Sequence, residues 1–207
     1  MKYILLKPTG EVAVEESSPP VLKKGDILVE MKACGLCGTD LEKMQGRYLA
    51  SQPVLGHEAS GVVSEVGEDV EGFKVGDRVF PHHHVPCYQC HLCRHGSETM
   101  CPYYRASNLE PGGFSEYFRV PAWNVDHGGV LKLPGHVTFE EASLIEPTAC
   151  CIRALNRCNV SADETVLVIG AGPIGLTHLR LLSMRGATVM VSDINVTRLE
   201  FAERLGA

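Results

Sequence analysis

Four cysteines in one irregular stretch constrain this chain more than any other feature. Cys87, Cys90, Cys93 and Cys101 follow the spacing C-x2-C-x2-C-x7-C. They lie within residues 81–113, a stretch too long for an ordinary connection and without the apolar periodicity that builds a core. Four thiolates on one short excursion can close a tetrahedral shell around Zn²⁺. A shell closed by protein leaves no position for a reactant, so the expected role is structural: metal binding supplies folding free energy where apolar burial is thin. Two other readings are weaker. A ferredoxin cluster also uses C-x2-C-x2-C, but its last gap is x3 rather than x7. Unliganded thiols this close together would be reactive neighbours. His82, His83, His84, His91 and His95 lie nearby; with four thiolates filling the shell, each is expected to be a solvated loop histidine.

Nine cysteines would indicate disulfides in a secreted chain. The first residues, MKYILLKPTGEV, lack the apolar stretch and cleavage site of a signal peptide, so the clustering favours metal thiolates. No apolar run approaches the roughly 20 residues of a membrane span. A net charge of -6, with 19 Lys+Arg against 25 Asp+Glu and no basic cluster, argues against a nucleic-acid footprint. The expectation is a soluble, cytoplasmic protein with a small-molecule partner, neither nucleic acid nor membrane. Its 207 residues can bury one large core or two smaller ones.

Short β-like runs between turn residues occupy 3–6, 12–15, 27–33, 59–66, 78–80 and 114–120, which reads as an antiparallel barrel. The texture changes near residue 147. A helical stretch at 148–157 precedes an apolar strand at 166–169, a glycine turn, a helix at 174–184, a strand at 188–192 and a helix at 196–205 with Gly206 as its stop. That is a strand-helix-strand-helix unit.

A second cluster has mixed chemistry. CGLCGTD at 34–40 and GHEASG at 56–61 offer a thiolate, an imidazole and a carboxylate on separate turns. Cys34 and Cys37 could also form a redox C-x2-C, although the surroundings are barrel-like rather than βαβ. CGTD and GHEASGVVSEVG resemble the two catalytic-zinc signatures of the zinc-containing medium-chain alcohol dehydrogenases, in the same order and ahead of the four-cysteine lobe. The motifs are most similar to the sorbitol/polyol, glucose and L-threonine dehydrogenase branch, and the resemblance covers residues 1 to 207. It implies an α/β protein: a GroES-like antiparallel β-barrel catalytic domain over 1–147, with a structural-zinc lobe at 81–113, and the incomplete N-terminal part of a Rossmann, doubly wound parallel, NAD-binding domain over 148–207. It also implies two Zn²⁺ per chain, one structural and one catalytic. By that resemblance Cys37 and His57 ligate the catalytic zinc, Glu146 in LIEP is the acidic third ligand or a water-linked partner, and Glu58 is an alternative ligand. A thiolate, a neutral imidazole and one carboxylate neutralise Zn²⁺ and leave one open position. Cys34, Cys150, Cys151 and Cys158 fit no partner pattern and read as small packing residues.

The run from Val166 to Gly175 places G-x-G-x-x-G between strand and helix. Gly170 makes the turn, Gly172 admits the pyrophosphate beside Pro173 and Ile174, and Gly175 permits close packing. Asp193 falls 18 residues after Gly175, where a carboxylate can accept both ribose hydroxyls and repel a 2′-phosphate. NAD is favoured over NADP, which Arg198 keeps open by offsetting that repulsion.

The implied reaction is hydride transfer between the carbinol carbon of an alcohol, polyol, sugar or hydroxy-amino acid and NAD, with zinc holding the substrate oxygen. By resemblance Thr39 relays the alcohol proton. Glu42 stands where a histidine often completes that relay: either Glu42 or water takes over or the proton leaves by another path, and Glu42 reads equally well as a solvated carboxylate on a helix face. Tyr88 stands where a glycine commonly follows the first lobe cysteine; it preserves the spacing and is expected to matter little. The family forms dimers or tetramers, so a homo-oligomer is implied. The sequence stops at Ala207, where family members continue with further strands. A 207-residue chain alone is therefore expected to be unstable or inactive, and the alternative reading is a non-catalytic zinc-binding fragment or assembly subunit.

Overall fold

The structure, a computed structural model, describes residues 1–8, 10–47 and 55–207. They divide into two compact units, Met1–Leu144 and Ile145–Ala207.

In the first unit, β1 (Lys2–Leu6) and β2 (Val12–Glu16) form an antiparallel pair. A five-stranded antiparallel sheet runs in the order β6-β3-β4-β5-β7, from β6 (Tyr117–Val120) through β3 (Ile27–Gly35), β4 (Glu58–Val66) and β5 (Arg78–Pro81) to β7 (Val130–Lys132). Alternate residues face one apolar core, and Leu28, Ser60, Phe80 and Arg119 between them are buried as well. Ile27 and Val29 of β3, Ala59 and Val63 of β4, and Phe118 and Val120 of β6 close the core with Val79, Leu109 and Val130. Burying an aliphatic or phenyl side chain of this kind contributes about 1.5–3 kcal/mol, so this cluster anchors the strand ends that carry the candidate site.

Several elements differ from the expectation. The strand expected at 114–120 begins at Tyr117. Residues before it turn to β1 instead: the Ile4 amide donates to the Phe114 carbonyl at 2.8 Å, and Ser115 bridges Tyr3. Strand β7 and the short helices α1 (Gly38–Met44), α3 (Ala122–Asp126) and α4 (Phe139–Ser143) carry too little periodicity to be read from sequence. Helix α4 did leave a signal, the capping box Thr138/Glu141, in which each side chain accepts from the other's backbone amide. Between β5 and β6 the stretch holds only α2 (His91–Arg94) and a single 3₁₀ turn (Glu98–Met100).

The second unit opens with α5 (Ile145–Cys158), which starts three residues earlier than the helix expected at 148–157 and takes Pro147 into its first turn. Proline is tolerated there because a first-turn amide needs no intrahelical acceptor. Parallel strands β8 (Thr165–Ile169) and β9 (Thr188–Ser192) are linked by α6 (Pro173–Met184) and followed by α7 (Val196–Arg204). Leu155, Leu179, Leu182, Val189 and Ala202 are buried between sheet and helices. Leu167, Ile169 and Met190 point the other way and are exposed. Among the described residues no helix is long and apolar enough to cross a membrane.

Candidate metal centres and cofactor turn

The four lobe sulfurs converge. Ligand atoms of Cys87, Cys90, Cys93 and Cys101 all lie within 4.8 Å of one another. Cys90 and Cys93 sulfurs are 3.5 Å apart, and those of Cys87 and Cys101 are 3.6 Å apart. A tetrahedron with Zn–S bonds of about 2.3 Å has edges of about 3.8 Å, so the donor set fits zinc in chemistry and spacing. Backbone amides support the sulfurs: Cys90 donates to Cys87 Sγ at 3.3 Å and Cys87 to Cys101 Sγ at 3.4 Å. Amides of Gln89 and Cys90, with the neighbouring thiols, lower Cys87 to about 6. Burial, then the neighbouring thiols Cys90 and Cys101, push Cys93 up to about 12. A cation beside Cys93 would offset that effect and favour its thiolate. Tyr104 and Trp123 pack against the cluster, and Trp123 Nε1 donates to the Val85 carbonyl at 2.9 Å.

The second cluster brings together Cys37, His57 and Glu58, again within 4.8 Å. Cys37 is the N-cap of α1, where its sulfur accepts from the Thr39 amide at 3.5 Å. His57 directly precedes β4, and Glu58 is its first residue. The bond to His57, with the Thr39 amide and hydroxyl, lowers the Cys37 thiol against an opposing burial effect. Three donors of different type leave a fourth position open, which suits a catalytic rather than a structural zinc.

Behind His57 stands a carboxylate that the sequence reading passed over. Asp40 is fully buried, and its oxygens accept from the Gly56 amide at 3.1 Å and the Cys37 amide at 3.2 Å. His57 Nδ1 lies 3.6 Å from Asp40 Oδ1. Burial opposes charge on His57, but the bonds to Asp40 and Cys37 outweigh it and raise the imidazole to about 10. A carboxylate on the far ring nitrogen is how a ligating histidine is oriented. The signal was present: Asp40 occupies the third helical position after an N-cap, where it completes a capping box with Cys37.

The histidine run needs correction. His91 and His95 are exposed as expected, but His82, His83 and His84 are only partly so, because the segment after β5 packs ring against ring beside His57. His57 and His83 centroids are 4.8 Å apart, and burial, then the charges of His84 and His82, holds His83 well below the ordinary histidine range. Cys34 and Cys151 pack inward, and burial with the Asp40 charge takes Cys34 up to about 12. Cys150 and Cys158 are exposed rather than packed, because they face outward from α5.

Thr39 is half-buried beside Cys37, whereas Glu42 is exposed and pairs with Arg47 at 3.7 Å. Glu146 lies in the first turn of α5 in the second unit, where it accepts from Cys150 Sγ at 3.4 Å.

At the glycine turn, Gly170 has φ 102°, a conformation L side chains rarely adopt. A Cβ on Gly175 would meet the Gly170 carbonyl oxygen at 1.8 Å, whereas one on Gly172 would meet only open space. Pro173 and Ile174 open α6, and with the three glycines they line a shallow pocket. Asp193 Oδ2 accepts from the Ala171 amide at 2.7 Å and Oδ1 from the Asn195 amide at 2.8 Å, bonds that lower its pKa. Arg198 Nη1 stands 3.9 Å from Asp193 Oδ2.

Residues 23–134 match the alcohol dehydrogenase GroES-like domain. The chain belongs to the medium-chain alcohol and polyol dehydrogenase family. Sorbitol dehydrogenase of Bacillus subtilis is 33% identical over 100% of this chain and 60% of its own length. D-altritol 5-dehydrogenase of Agrobacterium fabrum is 40% identical over 100% of this chain and 62% of its own. Among solved structures, a putative zinc-binding dehydrogenase of Sinorhizobium meliloti bound to NADP superposes with TM-score 0.87 at 30% identity, covering 100% of this chain and 60% of that one. The chain thus spans about 60% of the length of these dehydrogenase relatives.

Proposed function

We propose that this chain carries the zinc sites of a dehydrogenase that transfers a hydride between a secondary carbinol carbon of a polyol or sugar and NAD. The observation that carries this reading is the gathering of Cys37, His57 and Glu58 around one point, with buried Asp40 behind the imidazole. Cys37 and His57 would hold the catalytic zinc, with Glu58 or Glu146 as the carboxylate. Cys87, Cys90, Cys93 and Cys101 would hold a second, structural zinc. A bound catalytic zinc supplies a Lewis acid that favours loss of the hydroxyl proton, and the nicotinamide supplies the hydride acceptor.

The chain's own groups then have defined tasks. Asp40 orients His57 so that one ring nitrogen faces the metal position. Thr39 holds its hydroxyl beside Cys37, where it can pass on the substrate proton. Glu42, at the exposed face of α1, or water receives that proton. Gly170, Gly172, Pro173, Ile174 and Gly175 cradle the pyrophosphate at the start of α6. Asp193, held by two backbone amides, accepts the ribose hydroxyls; this favours NAD, while nearby Arg198 moderates the selection against a 2′-phosphate. The names of the sorbitol and altritol relatives point to polyols as substrates, and the NADP-bound relative supports a nicotinamide cofactor. Assembly as a homo-oligomer in the cytoplasm belongs to the same reading.

Polyol-dependent formation of NADH by zinc-loaded protein tests it. Cys37→Ala is expected to abolish that activity while the lobe keeps its zinc. Absence of activity with both clusters loaded would instead favour a non-catalytic zinc-binding or assembly role.

A further inference from the structure

Helix α2 and its C-cap carry two exposed imidazoles, His91 and His95, one helical turn apart. Residues i and i+4 share a helix face. Here the ring centroids are 4.1 Å apart, with the planes tilted by 36°. His95 Nδ1 lies 2.7 Å from the His91 carbonyl oxygen. A carbonyl only accepts, so neutral His95 carries its proton on Nδ1 and its lone pair on Nε2. Ligating histidines are prepared in this way: one ring nitrogen donates to a backbone carbonyl, which fixes tautomer and ring orientation, and the other faces the metal. Neither imidazole belongs to the two clusters described above.

We propose that His91 and His95 form an accessory surface site for a borderline divalent transition ion, Zn²⁺, Ni²⁺ or Cu²⁺, with water completing the shell. Two imidazoles suit these ions, whereas Mg²⁺ and Ca²⁺ require oxygen donors. The site lacks thiolate charge, and Arg94 on the same short helix opposes a cation, so it binds more weakly than the four-thiolate shell. The helix that aligns the pair is framed by lobe ligands, with Cys90 as its N-cap and Cys93 inside it. The pair is therefore aligned only while the lobe is folded.

The test is a Ni²⁺ titration, followed by calorimetry and native mass spectrometry, of purified protein whose zinc content has been measured. The unsubstituted protein is expected to take up one further ion. His91→Ala and His95→Ala are each expected to lose that ion while keeping the same zinc content, which reports that the lobe is intact. Should an alanine variant lose lobe zinc, His91→Gln and His95→Gln are read in the same way. No further ion in the unsubstituted protein, or an ion that persists in the substituted proteins, overturns the proposal.

Discussion

Tyr88 follows the first lobe cysteine with φ 54°, in the left-handed region that a residue with a Cβ enters at a cost of roughly 1–2 kcal/mol. The sequence reading treated this tyrosine as harmless because it keeps the ligand spacing; the backbone shows why glycine suits the position. Its ring is more than half exposed, so little packing offsets the strain. Tyr88→Gly is expected to stabilise the lobe by about 1 kcal/mol, read as slower zinc loss to a chelator. A larger effect belongs to Arg119, whose guanidinium pairs with buried Asp26 and with exposed Glu110. Asp26 also accepts from the Ala122 and Lys23 amides, so it ties β6, α3 and the turn before β3 together. Arg119→Met leaves that buried carboxyl without its ionic partner, with a cost of about 3 kcal/mol in urea unfolding. The Glu110 arm is solvent-screened and contributes little. Neither effect was legible in the sequence, because φ at Tyr88 and the Arg119–Asp26 contact across 93 residues are properties of the folded chain.

At the level of elements, the 81–113 lobe holds little regular structure, and sulfur and aromatic packing organise it. Trp123, the sole tryptophan, packs on the cysteine cluster while its indole donates to Val85. A strong chelator is therefore expected to change tryptophan emission and far-ultraviolet dichroism together, and added Zn²⁺ to restore both. An unchanged emission would show that the lobe stands without metal. The C-x2-C-x2-C-x7-C spacing made this element readable because cysteines so close in sequence can bring their sulfurs together without help from distant strands. Helix α1 was harder to read: its local signal is the Cys37/Asp40 capping box, with a thiol as the cap, and Gly38–Met44 is too short for a helical period to emerge.

Across the described residues, each unit has its own apolar core, and apolar side chains on one face of the second unit's parallel strand pair are exposed. Ile169 is 83% exposed, and Leu167 and Met190 are also exposed on that pair. Parallel sheets normally bury both faces, so in a polypeptide of these 207 residues by itself this face is expected to bind a hydrophobic dye and to promote self-association. Ile169→Lys with Leu167→Lys should reduce both without loss of lobe zinc. Dye binding that survives the pair of substitutions would place the sticky surface elsewhere. The sequence by itself determined the cysteine lobe, the glycine turn with Asp193, and the alternation of the long strands, since each is written in spacings over a few residues. Only the tertiary structure decided which groups meet. Cys37 caps a helix and His57 borders a strand, and their meeting over Asp40 depends on how the β3–β4 pair lies, with its two register shifts. Likewise, His83 is drawn against His57, with His82 and His84 against His83, because chain packing, not residue type, sets their exposure.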